Sequence, residues 1–298
     1  MNLISLKFFT TILLLSTANI AIAQATAVPT INQKREHVLT STVNGTTYSL
    51  FVSLPMRYAA NDTTFYPVLY VLDGGLSFPI VHAARTSLDL FGDLEDVIIV
   101  ALEYNWQESF KPWMTGRWKD FTPSKNEKAD ANPAYIKTYD LPAGSLTSGG
   151  APGYVNALRK DIIPFIDKQY RTNNDRGISG HSLGGLFAAY CIFTAPDLFH
   201  RYGINSPSLW WNDLQMFKTE KSFSEQHQSL PVRVFLSVGE LEGKSMTPVM
   251  TAFADSLKSR NYKDLHLTTH IFESETHMSV VPAMISRMLV VLYGKNRK

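Results

Sequence analysis

One cysteine, Cys191, stands in a chain of 298 residues. Without a second thiol no intramolecular disulfide can form, and zinc held by several thiolates is excluded as well. Cys191 itself lies within an apolar helical pattern and reads as a small buried side chain. Neither sign of charge dominates: 28 Lys and Arg stand against 26 Asp and Glu, for a formal net charge of +2. That balance gives no ground for nucleic acid as a partner. Repeats, low-complexity tracts and linkers of the Gly/Ser or Pro type are all missing, so the chain reads as one folded domain after its first residues. The apolar run Phe8 to Leu15 is too short for a permanent bilayer anchor.

What is present is enough apolar side chain for a large core, with 45% hydrophobic against 18% charged residues. Residues 1–23 carry one charge, Lys7, followed by that apolar run and by small residues ending Ala21-Ile22-Ala23 before Gln24. This is the layout of a cleaved export signal, which predicts a mature domain over 24–298, periplasmic or secreted and without a stable membrane anchor. Lipid attachment would need a cysteine at the cleavage site, and none is there.

Strand-like and helix-like segments alternate through the remainder, the pattern of an α/β protein. Thr46 to Leu54 alternates like a half-buried antiparallel strand, whereas Pro67 to Leu72 and Val97 to Leu102 are continuous apolar runs suited to central parallel strands. A helix is expected from about Tyr154 to Tyr170, kinked at Pro164. Arg176 to Ser179 is strand-like and Leu186 to Phe193 helical. After them, Val232 to Val238 reads as strand, Met246 to Ser259 as helix, Leu265 to Phe272 as the last strand and Val280 to Leu292 as the closing helix. Between Tyr104 and Tyr154 the rhythm breaks into an irregular segment rich in Trp, Tyr, Pro and Gly, as lids and binding loops do. Trp106, Trp113 and Trp118 within it are candidates to line a pocket or to pin the loop to the body.

Gly180-His181-Ser182-Leu183-Gly184 fits GxSxG between a strand-like and a helix-like run, the setting of a nucleophile elbow. A serine hydroxyl is a poor nucleophile at neutral pH and needs a histidine to take its proton and an acid to orient that histidine. Of eight histidines only His277 follows the last strand and precedes the closing helix, the place of the general base where a nucleophile elbow supplies the serine. His181 reads as structural, and His266 and His270 as surface or packing residues. The acid falls in Gly239-Glu240-Leu241-Glu242-Gly243, where Glu242 is preferred and Glu240 is the alternate. Leu183 N–H is expected to supply one oxyanion donor, and Gly74 or Gly75, in the turn Asp73-Gly74-Gly75-Leu76, the other.

These segments, taken with Val71-Leu72-Asp73-Gly74, Arg117-Trp118-Lys119-Asp120-Phe121-Thr122-Pro123, Ile162-Ile163-Pro164-Phe165-Ile166, Tyr170-Arg171 and Ser206-Pro207-Ser208-Leu209-Trp210-Trp211, resemble an esterase family of the α/β-hydrolases. That family includes esterase D and the enterochelin-type siderophore esterases. The resemblance implies an α/β-hydrolase fold and hydrolysis of small-molecule carboxylic esters through an acyl-serine, with neither metal nor organic cofactor. It also implies that Arg117 and Asp120 sit in a loop near the site. A siderophore ester is one substrate class it allows, for which Lys111, Arg117 and Lys119 would offer cations. An acyltransferase using the same triad is the alternative activity, and an inactive binding module the alternative class. Oligomeric state leaves no signal in the sequence.

Overall fold

The computed structural model describes residues 34–58, 63–104 and 110–295. The expected export signal and Trp106 lie outside them. Eight strands, β1 Lys34–Thr40, β2 Thr47–Ser53, β3 Tyr66–Val71, β4 Ile98–Tyr104, β5 Thr172–His181, β6 Arg201–Asn205, β7 Arg233–Gly239 and β8 His266–Phe272, make one sheet in the order β1-β2-β4-β3-β5-β6-β7-β8. The pairs β1/β2 and β2/β4 are antiparallel, and every other neighbouring pair is parallel. The flanking helices are α1 Gly74–Leu90, α2 Phe110–Asp120, α3 Glu127–Asp130, α4 Pro133–Thr138, α5 Ala151–Ala157, α6 Ile163–Gln169, α7 Leu183–Thr194, α8 Trp211–Ser224, α9 Thr247–Ser259 and α10 Val281–Tyr293.

Strand periodicity sorts the apolar residues into two layers. On β3 and β4, Val68, Tyr70, Ile98 and Val100 join the core shared with α5, α7 and α9, while Leu69, Val71, Ile99 and Ala101 pack against α1 and α10. Every residue of β3 and β4 is buried, which is why their sequences read as apolar runs, broken in β4 only by Glu103 near its end. Each such side chain withdrawn from water contributes about 1.5–3 kcal/mol, so the central strands hold both layers together.

Three local readings change. The helix expected over Tyr154 to Tyr170 begins earlier, at Ala151, and between α5 and α6 it widens into a π turn over Leu158–Ile162. Pro164 has no N–H to give to the previous turn and its ring would crowd a carbonyl there, a conflict the wider turn relieves. The stretch after Tyr104, expected to be irregular, contains α2, α3 and α4. Asn126 and Asn132 cap the last two, accepting from Ala129 N–H and Ala134 N–H. The strands β1 and β6 had no sequence signal: β1 is a polar edge strand with Val38 65% exposed, and β6 is five residues long.

Parallel strands carry their carboxyl ends to one edge of the sheet, where α/β proteins place their sites. The residues following β3, β5, β7 and β8 therefore share that edge, and so does Glu103 near the end of β4.

Candidate active site

Ser182 lies between β5 and α7 with φ 61° and ψ −117°, a backbone conformation costly for a residue with a side chain. Adjacent strands hold it there: Ser182 N–H donates to Asn205 C=O at 3.0 Å, and Ser208 N–H donates to Ser182 C=O at 3.0 Å. Gly180 shows why the turn needs glycine, since a Cβ at that position would come within 2.3 Å of the Gly184 backbone. The Ser182 hydroxyl is 3.4 Å from Ser208 Oγ.

After β7 the chain makes a single 3₁₀ turn, Glu240–Glu242, and this turn separates the two candidate acids. Glu242 points inward. Its Oε2 accepts from His277 Nδ1 at 2.6 Å, and its Oε1 accepts from Ser206 Oγ at 2.5 Å and from Gly239 N–H at 2.6 Å. Burial pushes this carboxyl up, but the bonds from His277, Ser206 and Gly239 outweigh it and hold the group below the ordinary glutamate range. Glu242 is therefore ionised at neutral pH. Glu240 is exposed, and its Oε2 accepts from Ser274 N–H at 2.9 Å. Beside it Leu241 N–H donates to Glu275 C=O at 2.9 Å, so the alternate acid helps to tie its own loop to the one bearing His277.

Ser182, His181 and His277 line a cleft of about 130 Å³ together with Asp73, Trp113, Arg117, Tyr139 and Met278. A larger hollow, about 640 Å³ around His227 and Arg260, holds none of the site residues expected from the sequence. Arg117 donates to Asp73 from Nε at 2.9 Å and from Nη2 at 3.0 Å, and Trp113 Nε1–H donates to the same carboxylate at 3.0 Å. The guanidinium also stacks over the Trp113 ring at 4.8 Å. Lys111 is paired as well, with the exposed Asp140 at 3.0 Å, so two of the three cations considered for an anionic ligand already have an acidic partner. Trp118 is placed elsewhere: it is 2% exposed, donates to Asp130 at 2.8 Å and packs edge-on against Trp211, so it belongs to the core rather than the cleft. Asp120 accepts from the Tyr48 and Tyr104 hydroxyls, also in the core.

Leu183 opens α7 and Gly74 opens α1, so their N–H groups belong to first turns, which have no intrahelical acceptor. The two turns touch, because a Cβ on Gly184 would lie 3.4 Å from Asp73 Oδ2. Gly75 differs from Gly74 in one respect: its N–H donates to Glu103 Oε2 at 2.6 Å.

Four residues in and around this arrangement had no assigned role from the sequence. Ser206, at φ 41°, and Ser208 were visible only as part of the Ser206-Pro207-Ser208 resemblance, Tyr139 sits in a stretch without periodicity, and Glu103 had no signal. Glu103 is 1% exposed, and burial, with Asp73 adding to it, raises its carboxyl to about 7 against the bonds it accepts from Gly75 N–H and Tyr104 N–H. Among the described residues no group of three or more His, Cys, Asp or Glu could hold a metal ion.

Comparison with known proteins places this geometry in a family. A family model described as "Putative esterase" matches residues 120–279. Ferri-bacillibactin esterase BesA of Bacillus subtilis is 28% identical over 267 residues, covering 87% of this chain and 89% of that protein. The siderophore triacetylfusarinine C esterase of Aspergillus fumigatus is 25% identical over 281 residues, covering 84% and 89%. The crystal structure of the BES protein from Bacillus cereus superposes with a TM-score of 0.75 at 28% identity, over 88% of this chain and 96% of that one. An IroE-like serine hydrolase from Shewanella oneidensis shares the fold, with a TM-score of 0.73. The strand order, the elbow at Ser182 and these matches together make the chain a member of this esterase family of the α/β-hydrolase superfamily, a hydrolase acting on esters.

Proposed function

We propose that the protein is an exported serine esterase in which Ser182 attacks the ester carbonyl, His277 is the general base and Glu242 the orienting acid. The observation that carries this reading is the 2.6 Å bond between an inward-facing, ionised Glu242 and Nδ1 of His277, whose ring lines one cleft with Ser182. Because Nδ1 is held by Glu242, Nε2 is the nitrogen left to take the Ser182 proton. As the Ser182 Oγ–carbon bond forms, that proton moves to His277 Nε2 and the carbonyl electron pair moves onto oxygen. Backbone N–H groups of Leu183 and of the Gly74-Gly75 turn would receive the resulting oxyanion. Collapse expels the alcohol, which leaves with the proton from His277, and an acyl-serine remains. Water activated by the same imidazole then releases the acid and regenerates Ser182.

For the substrate we propose an ester within a siderophore, supported by the names of the two curated relatives and by the aromatic and apolar lining supplied by Trp113, Tyr139 and Met278. Turnover of p-nitrophenyl acetate, butyrate and octanoate and of a catecholate trilactone should be lost in Ser182→Ala, by about 10⁴-fold or more. Retained turnover would sink the nucleophile assignment, and preference for simple alkyl esters over the trilactone would sink the substrate class. Export is supported by the layout of residues 1–23. Its check is a mature amino terminus at Gln24 on protein recovered outside the cytoplasm.

A further inference from the structure

We propose that Glu103 is a positioning residue for ester hydrolysis: by taking the Gly75 N–H, it sets the turn after β3 so that the Gly74 N–H is the one left for the oxyanion. This rests on the reading in which Ser182 forms the acyl-enzyme. The hydrogen bonds of the turn narrow the choice of donor. Leu76 N–H and Ser77 N–H both donate to Asp73 C=O, at 3.1 and 2.9 Å, and Gly75 N–H donates to Glu103 at 2.6 Å. Gly74 N–H is the remaining donor of that first turn, with no acceptor among the described residues.

The contacts around the turn make the coupling tight. A Cβ on Gly74 would lie 3.0 Å from Leu102 C=O, so the turn rests on the end of β4 immediately before Glu103. On its other side Asp73 abuts the first turn of α7, where Leu183 offers the second donor. Glu103 thus holds one oxyanion turn against the strand, and that turn is packed against the other. The Tyr104 N–H bond at 2.7 Å fixes the second carboxyl oxygen and leaves the side chain little freedom to swing away. Placing a carboxylate here is costly, since it is buried and next to Asp73, with Arg117 its cationic neighbour and Tyr154 also within electrostatic reach. A well-packed apolar residue would serve the core better, whereas an acceptor for Gly75 N–H requires oxygen at this point.

The experiment compares kcat and KM for p-nitrophenyl acetate in the full chain and its Glu103→Gln, Glu103→Met and Ser182→Ala variants, with unfolding midpoints in urea. Glu103→Met keeps the length of the side chain and removes the acceptor, and it should lower kcat about tenfold or more with KM changed less than about twofold. Glu103→Gln keeps a carbonyl oxygen for Gly75 N–H and should restore most of kcat. That rescue, and the confinement of the effect to kcat, separate positioning from a general loss of stability. If Glu103→Met fails to fold, Glu103→Ala is read in its place against the same rescue. Unchanged kcat in Glu103→Met would overturn the proposal. A raised kcat would overturn it too, because Gly75 N–H would then be the donor and Glu103 its plug. Glu103→Gln as slow as Glu103→Met at an equal unfolding midpoint would also overturn it. Retained turnover in Ser182→Ala would instead remove the nucleophile reading itself, so the two failures are distinguishable.

Discussion

The imidazole of His181 lies against that of His277, with ring centroids 4.3 Å apart and planes inclined by 40°. Burial first, and then the neighbouring His277, push the His181 pKa down to about 3. His181 therefore stays neutral when its neighbour gains a proton, and only one of the two adjacent rings becomes a cation.

That depressed value has a consequence for stability. The unfolded chain takes up this proton near 6.5 while the folded protein resists it down to about 3. Between those values the unfolded state binds more protons, so His181 makes the fold weaker as pH falls from 6.5 toward 3. In His181→Gln the drop in urea midpoint between pH 7 and pH 4.5 should be smaller than in the parent protein. An equal drop would mean that His181 is not buried as a neutral ring.

Ser182 holds φ 61° despite having a side chain. Glycine adopts this region without strain, so Ser182→Gly should unfold at higher urea, by about 1 kcal/mol, while losing hydrolysis. Ser182→Ala loses hydrolysis without that gain, since it keeps the Cβ. Equal midpoints for the two variants would show that the elbow stores no strain.

Glu242 and Glu240 differ in direction more than in position. Glu242→Gln should lower kcat by about 10²–10⁴-fold, because an amide cannot stabilise the imidazolium and can turn the ring to the wrong tautomer. Glu240→Gln still offers an oxygen to Ser274 N–H and should stay within about twofold of the parent. Comparable losses in both would overturn the choice between them.

The Asp73–Arg117 pair is buried on both sides, with side chains 7% and 8% exposed. Asp73→Ala should cost about 3–5 kcal/mol because it leaves the guanidinium buried without its hydrogen-bonded carboxylate. Adding Arg117→Met should recover part of that loss in urea unfolding. A double variant no more stable than Asp73→Ala would show that the pair acts by shape rather than charge.

The elbow was legible in the sequence because its cause is local: a strand-to-helix turn this tight needs small neighbours, and Gly180 and Gly184 flank Ser182. His277 was a candidate from chain order, since one histidine follows the last strand and precedes the closing helix. The central strands were legible because burial on both faces fills them with apolar residues, Glu103 excepted. Glu240 and Glu242 could not be separated, because one 3₁₀ turn decides which carboxylate turns inward, and spacing along the chain carries no record of it. Trp118 and Trp113 look alike in sequence, yet one meets Trp211 in the core and the other lines the cleft.

Sequence alone determined the fold class and named Ser182 and His277 as the candidate nucleophile and base, all from short segments and their order. Tertiary structure decided which acid meets His277, which cations are already paired and which glycine N–H Glu103 occupies. Those outcomes depend on distances between residues far apart in the chain, and the strand register that brings β4, β5, β7 and β8 to one edge sets them.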